Sequence, residues 1–162
     1  RYVNVLFMEC YRTATPEDWN RISETLRWAE TNLLPPHINC VETWYHHSRR
    51  DFSLMRAVTT LSLTQSDGYC LFADPDDLPT PDHLHDWYGF WDKGLGRPQK
   101  TGFKRPDGAW ERAFANGTVI YNPAGNPPIT VHFDLPHLSR TTGRIETKYT
   151  VSENDGDIFL KK

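Results

Sequence analysis

At 162 residues the chain has room for one substantial core, or for a core with a small satellite, because domains cluster around ~100 to 150 residues. Its 38% hydrophobic and 24% charged residues, of mixed sign, exclude an intrinsically disordered chain, and a net charge of -3 excludes the basic face that a phosphate backbone requires. No apolar run reaches the ~18 residues of a bilayer-spanning helix, so neither nucleic acid nor membrane is expected as a partner.

The first stretch, RYVNVLFMEC (1–10), is rich in β-branched and aromatic residues and is expected to be a strand ending at Glu9. Thr15 followed by Pro16 is a helix start: a capping hydroxyl, then a proline whose missing N–H costs nothing at the first helical position. Trp19, Ile22, Leu26, Ala29 and Leu33 recur at helical spacing, so the pattern predicts an amphipathic helix over 16–33 that Pro35 and Pro36 stop.

The same unit then repeats. HINCVETWY (37–45) predicts a second strand, and residues 51–65 predict a helix with Phe52, Met55, Val58, Thr59 and Leu63 on one face. SDG ends that helix, and YCLFA (69–73) predicts a third strand. Strand, helix, strand, helix, strand, at about thirty residues per unit, predicts parallel βαβ construction with all strand carboxyl ends on one edge. Cys10, Cys40 and Cys70 each sit in one of these strands. An odd number without CxxC spacing reads as small apolar residues rather than a disulfide framework or a zinc ribbon.

Past Asp74 the segment DPDDLPTPDH is dense in proline and acid, and a long irregular connection with one short helix near 80–91 is expected. From 108 onward the period becomes two, with Asn116-Gly117 as a hairpin signal between AWERAF and TVIYNP. The expected organisation is βα units over 1–93, a linker over 94–107 and a small antiparallel β domain over 108–162.

Reactive groups in parallel α/β architectures sit at the carboxyl ends of strands. Glu9, Glu42 and Asp74 occupy that place, and carboxyls set among apolar residues suit general acid work. Glycosidic bond cleavage needs two carboxyls about 5 to 10 Å apart. Neighbouring parallel strands, about 4.8 Å apart, supply that separation. The alternative is that these acids form salt bridges with Arg12, Arg49, Arg50 or Arg56.

Trp44, Tyr45, Trp87 and Tyr88 are expected to line a groove as stacking platforms for sugar rings, with His46 and His83 hydrogen-bonding at its rim. Phe90 and Trp91 are expected to be structural, joining the connection to the β domain. A metal site from His46, His47, His83 and His85 is the weaker reading, because no cysteine joins them and the second pair falls in a proline-rich segment. No metal and no cofactor are expected.

The phrases LMRAVTTLSLTQSDGYCLFAD, HDWYGFWDKGLGRP and DGAWERAFANGTVIYNP resemble the carboxy-terminal part of uncharacterised glycoside-hydrolase-like TIM barrels. Arg56, Asp67-Gly68-Tyr69, Trp87, Asp92, Leu95-Gly96, Pro98, Arg112, Phe114, Asn116-Gly117, Asn122-Pro123 and Asp155-Gly156 carry the resemblance, which covers residues 51–162. It implies an α/β fold, the carboxy-terminal segment of a (β/α) barrel followed by a small antiparallel β-sandwich. It also implies a protein that acts on oligosaccharides or polysaccharides. On that reading Arg1 opens a fragment, and another chain or an amino-terminal half completes the barrel; the residues alone leave a third arrangement open, a small open three-stranded sheet covered by the β domain.

Overall fold

The computed structural model describes residues 3–10, 12–45, 48–73, 87–92 and 94–162. The first half contains β1 (Val5–Cys10), α1 (Pro16–Asn32), β2 (Ile38–Trp44), α2 (Phe52–Gln65) and β3 (Tyr69–Ala73). The second half contains β4 (Phe103–Lys104), β5 (Trp110–Phe114), β6 (Gly117–Asn122), β7 (Ile129–Ser139), β8 (Ile145–Val151) and β9 (Asp155–Lys161). Pro16 and the Thr15–Asp18 capping box start α1 where the sequence places it, with the Asp18 amide 3.2 Å from the Thr15 hydroxyl.

These elements do not form a barrel segment followed by a sandwich. Strands β1, β2 and β3 make an open three-stranded parallel sheet in that order, and the other six make a single antiparallel sheet in the order β4-β5-β6-β9-β7-β8. With only two helices among the described residues, the chain is mostly β. The physical reason lies in α2. From Ala57 to Ser62 every residue is buried, so the helix has no solvent face and needs an apolar partner on both sides. One side packs on the parallel sheet. The antiparallel sheet, through β9, β6 and β5, covers the other, where a barrel would place neighbouring helices.

The approach of α2 to β9 is close. A Cβ added at Gly156 would stand 1.9 Å from the Thr60 hydroxyl and 2.6 Å from the Ile120 carbonyl oxygen, so only glycine fits there. The threonine hydroxyls of α2 are satisfied within the helix: those of Thr59, Thr60 and Thr64 each donate to the carbonyl four residues back, at 2.7 Å. Among the described residues, two ion pairs join the halves. Arg56 reaches Asp155, and Arg112 reaches Asp67.

The hairpin between β5 and β6 turns at Ala115-Asn116, one residue earlier than Asn116-Gly117 suggests, since Phe114 pairs with Gly117. Gly117 is needed for another reason: a side chain there would meet the Phe159 carbonyl oxygen at 2.3 Å. Strand β7 runs through Pro136, and its register to β8 slips between His132 and His137, where a proline inside a strand is tolerated.

Candidate functional site

Side chains alternate along each parallel strand, and the burial pattern assigns the faces. Met8 and Cys10 of β1, Val41 of β2, and Cys70 and Phe72 of β3 pack in one core with the helices. Val5, Phe7 and Glu9 therefore point to the opposite face. Their register partners Ile38, Cys40 and Glu42 share it, and so do Tyr69 and Leu71 across β2. Val5, Phe7, Ile38 and Tyr69 are all exposed, so much of this face lies open to solvent.

Glu9 and Glu42 are direct register partners near the carboxyl ends of β1 and β2. Side chains on one rung of adjacent strands project to the same face, and strands about 4.8 Å apart bring such carboxyls within the roughly 5 to 10 Å of a glycosidase pair. Their surroundings differ: Glu9 is open to water, whereas Glu42 is 2% exposed. Trp44, half-buried, follows Glu42 on the same face. Asp74, His46 and His83 lie outside the described residues, as do His47 and His85. Among the described residues no group of three or more His, Cys, Asp or Glu could hold a metal ion.

The remaining aromatic residues separate into core and surface. Tyr45 is buried with its ring 5.3 Å from Phe72, and Tyr88 is buried against Phe72 and Trp91 at 5.6 and 5.1 Å, its hydroxyl donating to the Arg49 carbonyl. Both are part of the packing beneath the parallel sheet. A single 3₁₀ turn, Gly89–Trp91, is the helical content of the described part of the connection. It presents Trp87, 74% exposed, with its indole N–H donating to Asp92 at 2.6 Å and its ring edge-on to Trp91. Trp91 instead donates to the Thr59 hydroxyl at 2.8 Å and packs on the core. Replacing Trp91 by alanine is expected to cost about 3 kcal/mol of stability, and replacing Trp87 less than about 0.5 kcal/mol, both measured by urea denaturation.

The three cysteines are free. Burial pushes the Cys10 thiol up to about 12, with Cys40 and Glu42 adding to the effect. Burial also pushes Cys70 up to about 11, against a hydrogen bond with Thr59 that lowers it, and raises Cys40. At neutral pH all three are thiols and not nucleophiles.

Sequence reasoning did not find a second concavity. A groove of about 830 Å³ runs along the outer edge of β3, between that strand and the Trp87–Gly96 connection, with Phe114 and Ile158 of the antiparallel sheet in its wall. None of the described residues that line it is charged. The only signal in the sequence is that YCLFA lacks any charge or proline.

A scan against protein-family models and a search of curated proteins return no match for this chain.

Proposed function

We propose that the protein acts on oligosaccharides or polysaccharides as a glycoside hydrolase, with Glu9 and Glu42 as the carboxylate pair on the open face of the parallel sheet. The supporting observation is the shared rung: two acids on adjacent strands, on one face, near the carboxyl ends. Glu9, reached by solvent, is placed to activate water or attack the anomeric carbon. Glu42, enclosed, faces the leaving oxygen. Trp44 stacks against a sugar ring beside them.

The test is release of reducing sugar from a panel of glycans and aryl glycosides. Wild-type protein is expected to cleave at least one of them, while Glu9→Gln and Glu42→Gln each lower kcat by about 10²- to 10⁴-fold with binding retained. No cleavage across the panel removes the proposal.

A second reading, a noncatalytic carbohydrate-binding protein, rests on Trp87, an exposed ring already held by Asp92 and Trp91. It requires glycan binding that Trp87→Ala abolishes and the two glutamine variants leave intact, with no hydrolysis by any of them.

A further inference from the structure

We propose that the cavity between α1 and the antiparallel sheet binds a monosaccharide that carries an acidic group, with Arg27 and Lys104 holding the anion and the Tyr121 hydroxyl donating to the sugar. The inference does not rest on the proposed catalytic pair, which stands on the face of the parallel sheet turned away from the helices.

Lys104 pairs with Trp110 and Trp110 with Tyr121, so the three stand on one rung of β4, β5 and β6 and project to the same face. Across from them Trp19, Ser23 and Arg27 recur every four residues along α1. The two rows line a cavity of about 530 Å³, within the range of small-molecule sites, roughly 300 to 1,000 Å³. The turn after β6 closes one end, where a Cβ at Gly125 would stand 3.3 Å from that of Pro16.

Tyr121 is 1% exposed, yet its hydroxyl forms no hydrogen bond to a described residue. That oxygen is not sealed within the core, so it opens into the cavity that the side chain lines. Burial pushes its ionisation above the usual phenol range with no hydrogen bond to oppose the shift, so at neutral pH the group is a donor. A buried donor without an acceptor is destabilising, and a ligand oxygen relieves it. The other end of the rung is cationic. The guanidinium of Arg27 lies over the Trp110 ring at 5.1 Å, which leaves its N–H edge free, and neither it nor the Lys104 ammonium has an ion pair among the described residues. Glu17, the one acid among the described lining residues, sits ten residues and so roughly 15 Å along α1 from Arg27. The walls add acceptors. Asn20 gives its Nδ2 to Glu24, and Asn126 gives its Nδ2 to Asp107 and Asn122, so each leaves its carbonyl oxygen for a ligand. A phenol donor, amide oxygens and two cations match a ring of hydroxyls with a carboxylate or phosphate at its edge, either of which meets the guanidinium fork.

Isothermal titration calorimetry of the 162-residue protein with glucuronate, glucose 6-phosphate and glucose tests this. At least one of the two acids is expected to bind about 10-fold or more tighter than glucose, with an affinity that falls as salt rises. The tighter of the two tells carboxylate from phosphate. Arg27→Ala and Lys104→Ala, both at exposed positions, are each expected to weaken that acid about 10-fold. Tyr121→Phe is expected to weaken it about 5- to 10-fold while the urea midpoint stays level or rises, because the hydroxyl bonds to no described residue. Glu42→Gln is expected to bind the acid as wild type does, so failure of the hydrolysis proposal and failure of this one are distinguishable. Three results each overturn the proposal: no saturable binding of either acid, glucose bound as tightly as both, or an affinity that the Arg27, Lys104 and Tyr121 variants leave unchanged.

Discussion

Replacing Arg112 with alanine is expected to lower the unfolding free energy by about 3 to 4 kcal/mol, read as a shift in the urea midpoint at constant slope. The buried guanidinium of Arg112 donates to the carbonyl oxygens of Lys100 at 2.9 Å, Leu63 at 3.2 Å and Ser66 at 2.7 Å. Two of those carbonyls belong to the end of α2, where a helix leaves its last acceptors without partners. Truncation strands them in a dry place, at about 1 to 3 kcal/mol for each unsatisfied group. The carboxylate of Asp67, 2.5 Å away, contributes less, because it is 63% exposed and water screens it. Asp67→Ala is therefore expected to cost under about 1 kcal/mol. Arg112→Lys keeps the charge but not the fork of donors, and recovers only part of the loss.

Arg56→Ala is expected to have an effect of the same order, about 3 to 5 kcal/mol, for a different reason. Arg56 meets Asp155 through two bonds, Nε to Oδ1 at 2.8 Å and Nη2 to Oδ2 at 2.6 Å, with side chains only 16% and 14% exposed. Removing the cation leaves a carboxylate in a poorly solvated place at the start of β9. The double variant Arg56→Ala/Asp155→Ala is expected to be less destabilised than the sum of the two single variants, and a double-mutant cycle in urea measures that coupling. Strictly additive losses would show that the pair does no joint work.

How far these features were legible follows from what each depends on. The bounds of α1 were legible because Thr15, Pro16 and Asp18 act locally on the first turn. The shared rung of Glu9 and Glu42 was partly legible: each acid lies near the carboxyl end of a strand-like run, next to last in 1–10 and fourth from last in 37–45, and adjacent parallel strands bring such ends to one edge. The nearby tyrosines were not. Nothing local distinguishes Tyr45 or Tyr88, buried among Phe72 and Trp91, from Trp87, which lies in solvent. Which aromatic ring meets water is decided by the path of the connecting chain.

The second helix misled for a similar reason. Its apolar positions, with Thr59 among them, suggested one face that included Phe52, but Phe52 is exposed and Thr60 and Thr64, off that face, are buried. Threonines count as polar in a sequence pattern. Once each hydroxyl bonds to its own helix, the outer surface of the residue is a methyl group, and the helix becomes apolar all round. That surface draws the antiparallel sheet onto α2, and the barrel segment that the resemblance implied gives way to two sheets sharing one helix.

Sharing that helix couples the melting of the two halves. If the strands on one side detach, the midsection of α2 is wetted and loses the packing that kept it helical, so the other side loses its foundation as well. The molecule is thereby given one cooperative transition, and cutting the loop between the halves would leave two stumps rather than two working modules.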